Sequence, residues 1–316
     1  MRVAFVGAGG VGGLFGAQLA RGGEEVIFIA RGGHLDAIRE DGLTVHADTE
    51  VWNVRPALAT DDPREVGAVD AVVLAVKTFQ LEEAARQIGP MLREDTVVLP
   101  LQNGVEATGQ LAALLGEQRV LVGLCGTLSW IAGPGRIRSL GTTHFVRLGE
   151  PDGRKSARVE ALHRAFVKSG VRAEVPDDVH AALWEKFLFV VPMGGVGAVT
   201  RAPIGVTRAL PETRALLRDA MQEIADLARA SEVRLREDIV SRALQFMDGL
   251  DPAGTSSLQR DLAAGRPSEL EAWNGAVVRL GQARGVPTPT HAFLHASLLP
   301  QERAARPRRA QDAPSL

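Results

Sequence analysis

Residues 3–12 read VAFVGAGGVG, an apolar run that passes directly into a glycine-rich loop. A GxGxxG string is weak evidence alone, but between a strand and a helix it is typical of a dinucleotide-binding βαβ unit. Gly7 permits the tight turn, Gly9 lets the backbone approach a pyrophosphate, and Gly12 allows close packing of helix and strand. The loop, which includes Gly10, runs into a predicted helix over residues 13–21, whose free N–H groups at the N-terminus face the phosphates. The stretch therefore predicts a dinucleotide site.

The first half of the chain alternates short apolar runs with helical stretches, which is the pattern of a parallel sheet built from βαβ units. The runs predicted as strands cover residues 3–6, 26–29, 71–76, 97–101, 120–124, 145–148 and 171–175. We therefore predict an α/β fold whose N-terminal domain, residues 1–176, is a Rossmann-type parallel sheet that binds NADP.

The pattern changes after the sequence Pro176-Asp177-Asp178, which reads as a break and a helix start. Helical periodicity follows over residues 178–191, 211–230, 237–250 and 268–284, and clear strands are missing. An all-helical C-terminal domain is expected over residues 177–300, carrying the substrate and catalytic residues. Residues 301–316 are rich in Arg, Ala and Pro, and this composition predicts a disordered tail.

Composition and charge exclude several classes of function. The 316 residues include 36 Lys and Arg against 38 Asp and Glu, so the net charge of −2 indicates neither a nucleic-acid nor a membrane-surface partner. The single cysteine, Cys125, excludes an intramolecular disulfide. No apolar run of membrane-spanning length and no signal peptide are expected, which favours a cytoplasmic protein. Because tyrosine is absent, Rossmann enzymes with a Tyr/Lys proton donor are also excluded.

The end of the second predicted strand indicates which dinucleotide binds. An NAD site normally places Asp or Glu there for the ribose 2′-hydroxyl. Here the strand ends in Ile29-Ala30-Arg31, and its acidic pair Glu24-Glu25 lies at the other end. Arg31 is placed to hold a 2′-phosphate with its planar guanidinium, although an ordinary exposed loop arginine is the alternative. We expect NADP as the cofactor.

Lys77, Asn103 and Lys186 are candidates for the chemistry. Lys77 and Asn103 each follow a buried strand, and ligands of open parallel sheets bind outside such strand ends. Asn103-Gly104 is also ordinary turn chemistry. Lys186 interrupts an apolar row on a predicted helix, where a partly desolvated ammonium is suited to proton transfer. A lysine that extends its charge to solvent from an apolar face is the alternative.

Two further polar residues, Ser257 and Glu269, can be explained by structural roles alone. Ser257 follows Ser256 in a helix-capping sequence, and Glu269 lies beside Ser268, which has capping-box spacing to Glu271. A carboxylate in a first helical turn can simply complement the helix dipole. On spacing alone, both Ser257 and Glu269 read as structural.

His291 and His295 have the i, i+4 spacing of two metal ligands on one helix face. No glutamate stands between them in the metalloprotease arrangement, and no third ligand is evident. No metal site is expected.

Taken in chain order, these motifs resemble the ketopantoate reductase (2-dehydropantoate 2-reductase) family, over nearly the whole chain to about residue 300. The resemblance rests on the loop at residues 7–12, Arg31, Val76-Lys77, Gln102-Asn103-Gly104, Leu183-Trp184-Glu185-Lys186, the sequence SSLQRD at residues 256–261, and Glu269 ahead of Asn274-Gly275. The last three motifs at their mutual spacing are more specific than the glycine loop.

The resemblance implies NADPH-dependent reduction of a 2-oxo acid, most directly of ketopantoate to pantoate in pantothenate biosynthesis. The implied roles are catalysis by Lys186 and Glu269, substrate binding by Asn103, Ser257 and Lys77, and cofactor binding by Gly7, Gly9, Gly10, Gly12, Arg31, Lys77 and Asn103. The Lys186 ammonium would stabilise and then protonate the developing alkoxide. Glu269 would hold a substrate hydroxyl or orient the lysine, and Ser257 would bind the carboxylate.

Three positions depart from the family's pattern, since Val190, Gly194 and Ile204 stand where the family has asparagines that contact substrate. Apolar or small groups in place of amides should weaken binding of a hydroxylated substrate. Reductase chemistry is therefore better supported than ketopantoate as the substrate. A β-hydroxyacid dehydrogenase and a non-catalytic NADP-binding sensor are the alternatives, and the sequence leaves the oligomeric state open, a homodimer included.

Overall fold

The structure is a computed structural model that describes residues 1–306, apart from the side chains of Thr142 and Thr143. The chain divides into two compact units, Met1–Ala182 and a second unit that begins at Leu183. This division falls a few residues beyond the expected boundary at 176, inside a long helix.

The first unit combines strands and helices. Its strands are β1 (Arg2–Val6), β2 (Glu25–Ile29), β3 (Leu43–His46), β4 (Val51–Val54), β5 (Leu58–Thr60), β6 (Ala71–Leu74), β7 (Val97–Pro100), β8 (Val122–Gly133), β9 (Arg136–Gly149) and β10 (Arg172–Glu174). Its helices are α1 (Gly10–Arg21), α2 (Gly32–Asp41), α3 (Leu81–Gln87), α4 (Ala107–Leu115) and α5 (Ala157–Lys168), with short 3₁₀ turns between several elements.

A five-stranded parallel sheet forms the centre of this unit, in the order β5-β2-β1-β6-β7. Alternate residues of each strand face opposite sides, so Phe5 packs against Phe28 in one apolar cluster while Ala4 and Val72 belong to the cluster on the other face. The order reverses between β1 and β6, and this switch point is where ligands of such sheets bind. The predicted Rossmann-type sheet is confirmed.

A second sheet in the same unit was not predicted. It has the order β10-β9-β3-β4, and β8 pairs antiparallel with β9 in a long hairpin. The runs at residues 120–124 and 145–148 extend into this hairpin and lie outside the parallel sheet. The hairpin residues are largely exposed around Trp130 and Ile131, so an apolar run could mark only its buried end. Strands β3, β4 and β5 have only three or four residues each: β3 pairs with its neighbour β4 and with the distant β9, and β5 pairs with β2.

The described part of the second unit is helical, as predicted. A long helix, α6 (Val179–Thr200), enters it from the first unit, and the others are α7 (Ile204–Ala209), α8 (Pro211–Ala230), α9 (Ile239–Asp248), α10 (Ser257–Ala263), α11 (Ala276–Arg284) and α12 (Pro289–Ala305). The segment expected to be one helix over residues 268–284 is divided, because a π-helical turn (Glu271–Gly275) precedes α11. Helix α6 continues nine residues past its expected end and contains Pro192 in its interior.

Helix α6 corrects the expectation that no segment has membrane-spanning length. Among residues 1–306 it is the helix that is long and apolar enough to cross a bilayer, with 22 residues that include an apolar 18-residue window. Of that window, 67% is buried inside the protein, as in a core helix of a soluble protein. The length and apolar composition of α6 are therefore explained by its burial in the helical core.

The C-terminal segment is ordered further than predicted. Residues 301–305 complete α12, and Glu302 is only 1% exposed. Its carboxylate accepts hydrogen bonds from the backbone N–H of Ser268 at 3.0 Å and from the Ser268 hydroxyl at 2.5 Å. Ser268 is therefore bound to α12, and the predicted capping box with Glu271 does not form. The remainder of the predicted tail, residues 307–316, lies outside the described residues.

Glu223 on α8 caps the first turn of α12 from inside the helical unit. Its carboxylate accepts from the backbone N–H groups of Thr290 at 2.6 Å and His291 at 3.0 Å, and it lies 2.7 Å from His291 Nδ1. Burial lowers the pKa of the fully buried His291 below its ordinary 6.5, against the opposing effect of Glu223. Burial raises the pKa of Glu223, but the hydrogen bonds from His291 and Thr290 hold it below its ordinary 4.5.

We expect acid to destabilise the protein through His291. Below pH 6.5 the unfolded chain binds a proton that the folded histidine resists, so stability falls as the pH drops, by up to about 1.4 kcal/mol per pH unit. Thermal unfolding between pH 7 and pH 5 measures this loss, and His291→Gln should flatten the profile. An unchanged slope in His291→Gln would contradict the assignment.

Candidate active site

The glycine loop connects β1 to α1 at the centre of the parallel sheet. Gly7 has φ +96°, a conformation that L side chains rarely adopt, and its N–H donates to Ile29 O at 2.9 Å. A Cβ on Gly12 would lie 1.9 Å from Gly7 O and 2.9 Å from Ala75 Cβ. Close packing of helix on strand therefore requires glycine at both positions.

Gly9 and Gly10 lie at the N-terminus of α1 and differ in what surrounds them. A Cβ on Gly9 would have no atom within 4 Å, so open space faces this turn, whereas a Cβ on Gly10 would lie 2.3 Å from Ser129 O of β8. Glycine at position 10 is thus required by the unpredicted hairpin. The first-turn N–H groups of α1 have no acidic side chain beside them. This cradle fits a pyrophosphate.

Lys77 and Asn103 emerge at the same edge of the sheet as the glycine loop. They follow β6 and β7, which are adjacent and pair Leu74 with Pro100, and both side chains are half-buried. Asn103 is followed by Gly104 at φ +125°, so the segment is also the turn that its sequence predicts. The structure brings Lys77, Asn103 and the glycine loop to the carboxyl ends of three neighbouring strands.

Gln102 positions this edge, a role that was not predicted from the sequence. It is 4% exposed, and its amide N–H groups donate to Leu74 O at 3.0 Å and Val76 O at 3.1 Å. The single side chain thereby ties the end of β7 to the residues just before Lys77. An amide immediately after a buried apolar strand is the signal that could have indicated this role, because buried amides are hydrogen-bonded.

Arg31 is the N-cap residue of α2, two residues past the end of β2. Its side chain is 62% exposed, and Nη2 lies 3.2 Å from Glu83 Oε1 and 3.2 Å from Gln87 Oε1 on α3. The guanidinium is therefore held beyond the strand end by a carboxylate. The sequence did not predict this partner, since 52 residues separate Arg31 from Glu83.

Lys186 lies on α6 in the helical unit, half-buried between the buried residues Leu183 and Phe187. The predicted interruption of an apolar face is therefore present in the structure. Val190, one turn further along, is also half-buried. Ile204, which begins α7, is 3% exposed and belongs to the core.

Ser257 is the first residue of α10, and the capping role falls to its neighbour. The Ser256 hydroxyl accepts from the backbone N–H of Gln259 at 3.0 Å, which is N-cap geometry. The half-buried side chain of Ser257 thus has no part in that cap.

Glu269 is 6% exposed and stands just before the π-helical turn. Its carbonyl accepts from the N–H of Trp273 at 3.0 Å, and the i→i+5 bond from Gly275 N to Leu270 O is also 3.0 Å. Short π-helical segments are frequent at functional sites. Here the turn directs the Trp273 ring toward α6.

The three elements of the helical unit that carry predicted site residues meet at Gly194 of α6. A Cβ on Gly194 would lie 2.6 Å from Cζ3 of Trp273 and 3.3 Å from Oγ of Ser256. Helix α6 with Lys186, the start of α10 with Ser257, and the π-helical turn after Glu269 are therefore packed on one another. Trp273 was not predicted as part of this arrangement, because its contact with Gly194 is long-range.

The two histidines considered as metal ligands have other partners. His291 binds Glu223, and His295 Nε2 lies 3.2 Å from Glu271 Oε1. Within residues 1–306, no group of three or more His, Cys, Asp or Glu side chains is arranged to hold a metal ion.

Two features together define a class of enzyme. One is a glycine cradle at the switch point of a parallel sheet, and the other is a helical unit that carries a half-buried lysine and a buried glutamate. This class is the pyridine-nucleotide-dependent oxidoreductases that act on a CH–OH group. Similarity to known proteins identifies the family within this class.

The sequence family described as "Ketopantoate reductase PanE/ApbA" matches residues 3–153, and its C-terminal counterpart matches residues 178–302. The 2-dehydropantoate 2-reductase of Mesorhizobium japonicum is 34% identical over 311 residues, covering 92% of this chain and 94% of that protein. The chain belongs to the ketopantoate reductase family.

Solved structures agree with this assignment. A PanE/ApbA family ketopantoate reductase from Ralstonia eutropha has 35% identity and a TM-score of 0.88, covering 96% of this chain and 99% of that one. A 2-dehydropantoate 2-reductase from Geobacter metallireducens has 31% identity and a TM-score of 0.89, with 95% and 99% covered. The fold and the class of enzyme are therefore those of this family.

Proposed function

We propose that this chain reduces a 2-oxo acid to a 2-hydroxy acid with NADPH, and that the reaction converts ketopantoate to pantoate in pantothenate biosynthesis. The observation that carries the proposal is the packing around Gly194, which holds the elements bearing Lys186, Ser257 and Glu269 against one another. The relatives named 2-dehydropantoate 2-reductase support the same reaction. A cytoplasmic enzyme with a small-molecule substrate, and with neither a nucleic-acid nor a membrane partner, is the setting we propose.

NADPH, when bound, supplies the hydride that reaches the keto carbon. The N–H groups at the start of α1, with Gly7, Gly9, Gly10 and Gly12 around them, would bind its pyrophosphate. Arg31 would bind the 2′-phosphate, because a guanidinium forks onto phosphate oxygens. Lys77 and Asn103 would border the region where cofactor and substrate meet.

The residues of the helical unit would complete the reduction. The Lys186 ammonium would stabilise the oxygen as negative charge develops and then donate the proton that makes the hydroxyl. Ser257 would donate a hydrogen bond to the substrate carboxylate. Glu269 would orient Lys186 or hold a substrate hydroxyl. One hydride and one proton added to C=O give the CH–OH product, so the step balances.

The experiment that tests the function is NADPH oxidation by the wild-type protein with ketopantoate, repeated with NADH. Arg31→Ala should weaken NADPH about tenfold to a hundredfold, as expected for losing a charged hydrogen bond, and leave NADH unchanged. Glu83→Gln should strengthen NADPH by up to about fivefold, because it removes a competing carboxylate from Arg31.

Glu82→Gln is the matched control, since Glu82 lies on the same helix and pairs with Arg86 instead. Equal losses for NADPH and NADH in Arg31→Ala would refute the NADP assignment. Binding of NADPH without turnover of ketopantoate or any other 2-oxo acid would refute the reductase and indicate a nucleotide sensor.

A further inference from the structure

His34 of α2 bridges the glycine loop and the turn of the β8–β9 hairpin. Its Nε2 lies 2.8 Å from Ala8 O, and its Nδ1 lies 3.1 Å from Gly135 N. Ala8 is the residue between Gly7 and Gly9 of the loop, 26 residues from His34, and Gly135 is 101 residues away. The half-buried imidazole therefore connects two segments that are far apart in sequence.

The two partners fix the tautomer of this imidazole. A backbone N–H can only donate, so Nδ1 of His34 accepts from Gly135 and carries no proton. The single ring proton of the neutral side chain is then on Nε2, which donates to Ala8 O. His34 is thus a donor to the glycine loop and an acceptor from the hairpin.

Gly135 is itself held on several sides. It is buried with φ +64°, and its carbonyl accepts from the N–H of Thr44 in β3 at 2.9 Å. A Cβ on Gly135 would lie 3.0 Å from Cβ of Ala37, so the hairpin turn packs directly on α2. The turn therefore provides the imidazole with a fixed partner.

The bond to Ala8 O sets the direction of the next N–H group. The peptide between Ala8 and Gly9 is trans, so its C=O and N–H point to opposite sides. Because the carbonyl is directed at His34, the Gly9 N–H is directed away from it. The Gly9 carbonyl is held as well, since it accepts from Gly13 N at 2.7 Å at the start of α1. Both peptide groups of Gly9 are thus fixed where open space adjoins the loop.

From these contacts we propose that His34 is a positioning residue of the nucleotide site. It holds the Ala8–Gly9 peptide in the orientation that offers the Gly9 N–H to a pyrophosphate, and it acts through the loop rather than as a ligand. Donors that are already ordered bind more tightly, because no ordering cost remains at binding. This inference rests on the proposed binding of NADPH at the glycine loop and names the residue outside the loop that orders it.

Two substitutions separate the two ends of the bridge. In His34→Gln the amide nitrogen can replace Nε2 and keep the bond to Ala8 O, whereas in His34→Asn the amide oxygen can replace Nδ1 and keep the bond from Gly135. We expect His34→Gln to bind NADPH within about threefold of the wild type, and both His34→Asn and His34→Ala to bind it about tenfold more weakly, as expected for losing one hydrogen bond. Isothermal titration calorimetry measures these affinities.

A nucleotide fragment and a second histidine are the controls. Adenosine 2′-monophosphate carries the 2′-phosphate but no pyrophosphate, so its affinity should be the same in the wild type and in the His34 variants. His163 is another half-buried histidine of the first unit, and its Nε2 lies 3.1 Å from Ala173 O. His163→Asn removes a comparable contact far from the loop in sequence and should bind NADPH as the wild type does.

The pattern across the variants distinguishes positioning from a purely structural role. His34→Gln and His34→Asn each keep one of two bonds, so a purely structural role would lower NADPH affinity equally in both. Equal affinities in these two variants would therefore overturn the inference. An equal loss for adenosine 2′-monophosphate would also overturn it, because the effect would then act through Arg31 on the same helix. Failure of the wild-type protein to bind NADPH would instead refute the proposed function.

Discussion

Replacing Lys186 with alanine is expected to lower kcat for 2-oxo acid reduction by about a thousandfold, without changing the affinity for NADPH. Loss of a positioned general acid costs on the order of a hundredfold to ten-thousandfold, and loss of a group that stabilises an oxyanion costs a similar amount. The residues proposed to bind NADPH belong to the first unit, so the variant should bind it as the wild type does. Single-turnover oxidation of bound NADPH measures the chemical step directly.

Two further variants separate charge from proton donation. Lys186→Arg keeps a cation but holds its proton too tightly to donate it, so kcat should recover only in part. Glu185→Gln changes the neighbouring half-buried residue and should leave kcat unchanged. Activity of Lys186→Ala within tenfold of the wild type would remove the lysine from the mechanism.

Gly12→Ala should lower the stability of the protein, whereas Gly9→Ala should leave it unchanged. The Gly12→Ala methyl group would meet Gly7 O at 1.9 Å, so the free energy of unfolding should fall by about 3 kcal/mol or more. The Gly9→Ala methyl group meets no atom within 4 Å, so stability should stay within about 0.5 kcal/mol of the wild type. Chemical denaturation measures both values.

NADPH affinity should then distinguish Gly9→Ala, the variant expected to fold normally, from the wild type. The methyl group of Gly9→Ala would project into the space where the loop backbone approaches a pyrophosphate, so NADPH affinity should fall by about tenfold or more, roughly 1.4 kcal/mol. Gly33→Ala is the control, because a Cβ there also meets no atom within 4 Å and lies outside the glycine loop. Unchanged NADPH affinity in Gly9→Ala would contradict the proposed cradle.

Local patterns predicted much of the fold because local energetics define those elements. The buried strands β1, β2, β6 and β7 are continuous apolar runs, as expected for a parallel sheet covered on both faces. Helix α8 begins at Pro211 and ends at Ala230, as its amphipathic period and N-terminal proline indicate. The pairing of β8 with β9 is local, across residues 134–135, but much of the hairpin is exposed and carries no continuous apolar run. The pairing of β3 with β9 and of β5 with β2 joins distant residues, which periodicity does not report.

The ordered end of α12 also depends on a contact that local sequence patterns do not report. Composition predicted disorder from residue 301, but Glu302 binds Ser268, 34 residues away, and is buried by that contact. A buried carboxylate with hydrogen-bond partners is stable where an unpaired one is not. Only the partner distinguishes this residue from a solvated glutamate.

The sequence by itself determined the Rossmann-type sheet, the helical second unit, the glycine loop and the residue types suited to reduction of a carbonyl. These follow from spacing, hydrophobic periodicity and motif order, all of which are local properties of the chain. The tertiary structure alone decided that Gln102 ties two strand ends, that Glu83 holds Arg31 and that Trp273 fills the space beside Gly194. Each of these contacts joins elements far apart in sequence, and packing selects such partners through shape and hydrogen bonding that no local pattern encodes.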